Sequence, residues 1–202
     1  LGKYADKECV KTINIYIYLC DKCKELPSEN QDIGAEHINS GYSYAGCNKK
    51  SEITVYRKEE WFKVFVHETI HAFNLGFELL DSNYINNELY KKFGLNIDFY
   101  APECYCESWG VIWNSLFNAF IKEKKRFDIF FNKFNDIYNM ECNFTNSQCL
   151  KLEKFKQFDS NYKENTPIFS YFFLKRILLL RIDDFLDFCK NNNQTMLNFK
   201  KD

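Results

Sequence analysis

The stretch Trp61-Phe-Lys-Val-Phe-Val-His67-Glu68-Thr-Ile-His71-Ala-Phe73 decides how this sequence is interpreted. Its large apolar residues recur every three or four positions, which predicts one amphipathic helix. The next residues, Asn74-Leu75-Gly76, are typical of a helix end. The sequence therefore predicts that His67, Glu68 and His71 lie together on a single helix.

His67 and His71 are four residues apart, so on a helix their imidazoles project from the same face. Two such imidazoles can bind one zinc ion, and a glutamate one residue after the first histidine can act as general base. We therefore expect zinc at His67 and His71, with Glu68 as the catalytic base. The competing interpretation is a pair of ordinary histidines on an amphipathic helix.

A catalytic zinc needs a third protein ligand, and the sequence offers Glu103-Cys-Tyr-Cys-Glu107 at the start of a long predicted helix. This spacing resembles the gluzincin arrangement, which predicts that Glu103 binds zinc. Glu107 would then accept the second ring N–H of His67 or His71. Two alternatives stay open: Glu107 is the ligand instead, or both carboxylates are solvated at a helix N-terminus, where negative charge is favourable.

The rest of the pattern predicts an α+β fold, with strands first and helices later. Residues 11–19 alternate as a half-buried strand, and residues 52–57 form a second strand. In zincins a strand just before the active helix is an edge strand along the cleft, a role that fits residues 52–57, although an ordinary sheet position fits equally. The predicted helices after the motif are 81–93, a long one containing Pro102, 127–138, 146–158 and 166–189.

Composition restricts the function. The 27 basic and 28 acidic side chains give a net charge of -1, and the densest basic run, 122–126, fits a solvated helix face. We therefore expect no nucleic-acid partner. No run of 18 apolar residues occurs, so we expect no membrane partner either.

The chain has nine cysteines, an odd number whose spacing matches no disulfide framework, and Cys20 and Cys23 form a lone CxxC. This predicts reduced cysteines and an intracellular location, in a host or viral cytoplasm.

Several blocks resemble a family of predicted zinc metallopeptidases encoded by giant DNA viruses. They are Ile53-Thr-Val-Tyr-Arg57, Val66-His-Glu-Thr-Ile-His71, Glu103-Cys-Tyr-Cys-Glu107-Ser-Trp109 and His37-Ile-Asn-Ser-Gly41. The resemblance covers about residues 10 to 120 and implies a zincin-like fold and proteolysis. The sequence departs from the family pattern at Gly110, where alanine is expected, and at Gly76, where an acidic residue is common.

Together these observations predict one zincin-like domain over 1–202, with a strand-and-motif lobe over 1–98 and a helical lobe over 99–202. The expected function is that of a zinc-dependent metallopeptidase acting on a peptide or protein substrate. Two other functions stay open: a zinc-binding interaction module without turnover, and a zinc hydrolase of a non-peptide amide. Glu68 argues against the interaction module, because a purely structural site has no use for a general base.

Overall fold

A small mixed sheet and a larger set of helices make up the fold, so the predicted α+β class is confirmed. The structure, a computed structural model, describes residues 1–5, 9–28, 31–76, 82–123, 126–195 and 197. The strands are β1 (Thr12–Cys20), β2 (Gly41–Ser43) and β3 (Lys50–Arg57). The helices are α1 (Ala35–Ile38), α2 (Trp61–Ala72), α3 (Ser82–Phe93), α4 (Ala101–Lys122), α5 (Phe127–Phe155), α6 (Lys175–Leu180) and α7 (Ile182–Asn192), with a π-helix over Phe169–Leu174 before α6.

The strand order is β1-β3-β2, with β3 parallel to β1 and antiparallel to β2. The prediction of an edge position for residues 52–57 is therefore wrong, because β3 lies in the centre of the sheet. Its alternate residues Ile53 and Val55 are fully buried against α2, which explains the alternating pattern. The edge position next to α2 belongs to β2, a strand of three residues that carries little sequence signal.

β1 follows the prediction for residues 11–19 in position but not in burial. It pairs with β3 along one side only, and Ile15, Ile17 and Tyr18 are 45, 45 and 65% exposed. The prediction of a half-buried strand is wrong, because Ile13 alone in β1 packs against the cluster that contains Val64 and Ala72 of α2, and the residues after it are exposed.

Helix α2 carries the motif, and local backbone conformation sets both of its ends. Glu60, directly before the helix, has a left-handed conformation with φ of 52°. At the other end the helix stops at Ala72, and Asn74 has φ of 50°, as expected of a helix-ending asparagine. One face of α2 packs on the sheet, and Val66 and Ile70 pack on α4, which fixes the orientation of the histidines.

The later helices differ from the prediction in their boundaries. Residues 127–138 and 146–158 were expected to form two helices, but α5 is continuous from Phe127 to Phe155. The single helix expected over 166–189 is instead a π-helix followed by α6 and α7, with a break at Arg181. The predicted helix over 81–93 is confirmed from Ser82 onward, and Asp81 lies outside the described residues.

Two of the three hydrophobic clusters contain residues from both sides of the predicted lobe boundary near residue 98. One joins Ile33 and Ile38 to the π-helix, and another joins Val66 and Ile70 to Tyr105 of α4. The two predicted lobes therefore share their hydrophobic interior.

Cys9 and Cys47 form a disulfide, with their Cα atoms 4.7 Å apart. The prediction of reduced cysteines is wrong for this pair, because a tertiary contact brings it together: the Val10 N–H donates to the Asn48 carbonyl at 2.8 Å. The other seven cysteines, including Cys20 and Cys23, are free. Among the described residues, no helix has the length and apolar character needed to cross a bilayer.

Candidate metal centre

The imidazoles of His67 and His71 meet above one face of α2, as the four-residue spacing predicts. Their Nε2 atoms lie 3.1 Å apart, and both residues are buried, with 4 and 6% of their surface exposed. Both rings therefore present one nitrogen to the same point, and only a proton or a cation between them can satisfy two such lone pairs.

Glu103, in the first turn of α4, brings its carboxylate to the same point. Its Oε1 lies 3.1 Å from Nε2 of His67, and its Oε2 lies 3.4 Å from Nε2 of His71. The donor atoms of all three residues fall within 4.8 Å of one another. Two imidazole nitrogens and one carboxylate oxygen are a donor set that suits Zn²⁺ with one position left open, so the residues present fit this metal.

The charges of Glu103 and the two histidines favour the same arrangement. Burial opposes the ionised form of Glu103, but His67 and His71 outweigh it and lower the pKa of that carboxyl to about 2. Burial likewise opposes the charged form of His67, but Glu103 and Glu107 raise the pKa of the imidazole well above its ordinary value. The site is thus built around a negative charge that favours a cation between the two rings.

Glu68, the predicted general base, lies beside this cluster without joining it. Its carboxylate Oε2 accepts a hydrogen bond of 2.8 Å from the Ser43 hydroxyl at the end of β2, and both residues line the cleft with His67 and His71. Burial raises the pKa of Glu68, although His67 and His71 oppose that shift. Sequence reasoning missed Ser43, because a lone serine in a polar segment carries no distinguishing pattern.

Glu107 lies beside the cluster, against the other ring nitrogen of His67. Its Oε1 lies 3.0 Å from Nδ1 of His67, although the two atoms are too poorly aligned for a good hydrogen bond. His71 has a different neighbour at the same ring position, since its Nδ1 lies 3.7 Å from the Cys106 thiol. Glu107 therefore faces Nδ1 of one histidine, whereas Glu103 faces the Nε2 atoms of both.

Two lysines that sequence reasoning did not single out hold Glu107 in place. Lys175 Nζ lies 2.8 Å from Glu107 Oε2, and Lys63 Nζ lies 4.0 Å from the same oxygen. All three side chains are almost fully buried. Burial opposes the charge on Glu107, but Lys175 and Lys63 lower the pKa of its carboxyl well below the ordinary value, so it stays ionised next to His67.

Comparison with known proteins identified no relative of this chain. No protein-family model, curated protein or solved structure matches this chain. The interpretation of the site therefore depends on its own geometry.

Gly110 shows why α2 and α4 can approach so closely. A Cβ atom at this position would lie 3.3 Å from the Lys63 carbonyl oxygen and 3.7 Å from Cβ of His67. The missing side chain at Gly110 leaves room for α2 and α4 to approach closely at this point. His37, the remaining histidine, lies elsewhere: its Nδ1 accepts the Gly34 N–H at 2.9 Å.

Proposed function

We propose that this protein is a zinc-dependent metallopeptidase with a zincin-like fold, in which His67, His71 and Glu103 bind the metal. The observation that carries the proposal is the convergence of these three side chains beside an uncoordinated glutamate, Glu68. A structural zinc site is normally closed by four protein ligands, whereas three ligands and a nearby carboxylate suit hydrolysis.

The side chains divide the chemistry between them. Zinc held by the three ligands would polarise a carbonyl and bring the pKa of a bound water to about 7. Glu68 takes the proton from the attacking water and then delivers it to the leaving amine. The Ser43 hydroxyl fixes the position of the Glu68 carboxylate, and Glu107 holds the His67 ring.

The sheet edge favours a peptide as the substrate. Gly41, Tyr42 and Ser43 of β2 line the cleft of about 230 Å³ that contains the histidines. In the described residues β2 is hydrogen-bonded to β3 along one side only. An extended peptide can pair with such an edge through its backbone, which places a peptide carbonyl near the metal-binding nitrogens.

Glu68→Gln is the variant that tests the proposal. Glutamine has nearly the size of glutamate and leaves the three proposed metal ligands in place, but it cannot accept the proton. Wild type and variant are both expected to contain one zinc per chain by elemental analysis. Cleavage of a broad peptide library, followed by mass spectrometry, should fall by about 10²-fold or more in the variant. Glu88→Gln, an exposed change on α3, serves as the matched control and should cleave like wild type.

Three results would count against the proposal. A zinc-loaded Glu68→Gln protein that cleaves at the wild-type rate contradicts the role of Glu68. A folded, zinc-loaded wild type that cleaves no peptide favours the interaction module. Cleavage of simple amides but not of peptides favours the non-peptide hydrolase.

A further inference from the structure

A second cavity, of about 690 Å³, adjoins the metal cleft, and Tyr171 of the π-helix contributes to the walls of both. The cavity lies between the start of α2, the middle of α5 and the π-helix. Part of its wall is apolar, formed by Leu26, Ile33, Ile38, Phe144, Leu152 and Phe172. It has the size of a pocket for a small ligand or for side chains of a peptide.

Ammonium groups converge on this cavity. Lys24, Lys63, Lys151 and Lys175 all line it, and Lys63 and Lys175 are buried. The ammonium nitrogens of Lys24 and Lys175 lie 5.8 and 5.1 Å from the centroid of the same Tyr171 ring. Two positive charges are thus held near one aromatic ring, at the wall that the cavity shares with the metal cleft.

Three glutamates, Glu25, Glu59 and Glu60, also line the cavity, and Glu59 and Glu60 are engaged by the lysines or by the backbone. Glu60 is shared by Lys63 and Lys24, at 2.6 and 3.3 Å, and Glu107 lies against Lys175. Glu59, at the exposed mouth, accepts the backbone N–H of Lys24 at 2.9 Å. Among the described residues, Lys24 shares its carboxylate partner Glu60 with Lys63, and each ammonium can donate three hydrogen bonds.

The pKa of Lys24 likewise shows that nearby carboxylates offset only part of the cost of burying its charge. Burial lowers the pKa of Lys24, Glu60 and Glu107 only partly offset this effect, and the charges of Lys63 and Lys175 lower the pKa further. An anion placed among these ammonium groups relieves their mutual repulsion and the cost of burying Lys24.

His37 also lines this cavity, and its Nδ1 accepts the Gly34 N–H at 2.9 Å, which leaves Nε2 as the ring nitrogen that can donate. The lining contains four lysines and three glutamates, so it carries a small excess of positive charge. Such a lining suits a carboxylate rather than a cationic or purely apolar side chain.

We propose that this cavity is a substrate subsite that binds a peptide carboxylate next to the scissile bond through Lys24 and Lys175, so that acidic peptides are the preferred substrates. The inference rests on the proposed peptidase function, since the subsite adjoins the metal cleft through Tyr171. The carboxylate can belong to an aspartate or glutamate side chain or to the C-terminus of the peptide.

Binding to the zinc-loaded Glu68→Gln protein tests the subsite without depending on turnover. Two hexapeptide libraries with blocked ends would be compared, identical except that one carries a single Glu and the other a Gln at the same position. Affinity selection with mass spectrometry should retain Glu peptides about tenfold more than their Gln partners, the range expected of a charge-assisted hydrogen bond. A third library, neutral but with a free C-terminus, separates a side-chain carboxylate from a terminal one.

The matched variants are Lys24→Met and Lys58→Met, each made in the Glu68→Gln protein. Lys58 pairs with Asp21 and lies outside the cavity, with 70% of its side chain exposed. The preference for carboxylate peptides should disappear in Lys24→Met and persist in Lys58→Met. Thermal unfolding of both proteins would show that the loss does not come from misfolding.

The outcomes separate this inference from the function it rests on. Equal retention of charged and neutral peptides, retention of neither, or a preference that survives Lys24→Met overturns the subsite. If wild type cleaves acidic and neutral peptides equally, the subsite fails while the peptidase stands. If acidic peptides bind through Lys24 but wild type cleaves none, the subsite stands while the peptidase fails.

Discussion

Glu107 and Lys175 form a buried ion pair, with 2.8 Å between the carboxylate Oε2 and the ammonium nitrogen, at positions separated by 68 in the chain. The pair joins α6 to α4 directly behind His67. A contact between helices so far apart in sequence thus supports one of the side chains that we propose to bind zinc.

Removal of Lys175 tests how strongly this pair supports the fold. Lys175→Met leaves Glu107 buried without its nearest cation, and breaking such a pair costs about 3–5 kcal/mol, moderated here because Lys63 stays nearby. Urea unfolding should show this loss of unfolding free energy. The double variant Lys175→Met/Glu107→Gln should recover much of it, because no charge is then left unpaired. Equal stability of the double variant and Lys175→Met would contradict this account.

The third metal ligand is tested by comparing two glutamates one helical turn apart. Glu103→Ala should lose most zinc, because its carboxylate faces both Nε2 atoms. Glu107→Ala should weaken affinity by only about 10–100-fold, the usual effect of removing the partner of a ligand. Competition with a zinc-binding dye measures both. If Glu107→Ala empties the site and Glu103→Ala does not, the two roles are reversed.

Gly41 is a position where a single methyl group should disturb the cleft. A Cβ atom there would lie 2.7 Å from the Thr54 carbonyl oxygen and 2.8 Å from Cγ1 of Val64, so β2 must shift away from β3 and α2. Gly41→Ala should cost about 1–3 kcal/mol of unfolding free energy, as overpacking does elsewhere. Because Ser43 lies on the same strand and donates to Glu68, the variant should also slow peptide cleavage. Tyr42→Ala, at the exposed neighbouring side chain, is the control and should change stability little.

Stability should depend on pH through Glu60. Burial would raise the pKa of this carboxyl, but Lys63 and Lys24 lower it from 4.5 to about 2. Because the folded-state pKa is below the unfolded one, the stabilisation is complete above pH 4.5 and is lost as pH falls toward 2. The contribution is on the order of 3 kcal/mol.

Unfolding with a chelator present at every pH removes any contribution from bound metal. The stability gap between wild type and Glu60→Gln should be widest above pH 4.5 and should close toward pH 2. Glu88→Gln removes an exposed surface pair and should produce only a small gap. A gap for Glu60→Gln that stays constant across this pH range would contradict the assignment.

The parts of the site that could be predicted from the sequence are those fixed by helical periodicity. His67, Glu68 and His71 share one helix, and Glu103 and Glu107 share another, so their relative orientation follows from spacing alone. The meeting of the two helices followed only from a resemblance, because packing at Gly110 depends on tertiary contacts.

Ser43, Lys63 and Lys175 could not be predicted, because each reaches the site through contacts distant in sequence. β2 has only three residues, too few for a period of two to be recognised. Lys175 lies within an apolar stretch of a predicted helix, where a single charged side chain carries no distinguishing pattern. Its actual role depends on Glu107, which no local pattern connects to it. The exposure of β1 was missed for a related reason, since an alternating pattern does not reveal whether another element covers it.

The Cys9–Cys47 bond encloses β1, α1 and β2 in a covalent ring of the chain. Most of residues 21–28 within this ring are exposed and lie outside helices and strands, a typical place for proteolytic nicking. A cut there leaves both pieces joined by the Cys9–Cys47 bond. Nicked protein should therefore migrate as one chain on a non-reducing gel and as two on a reducing gel.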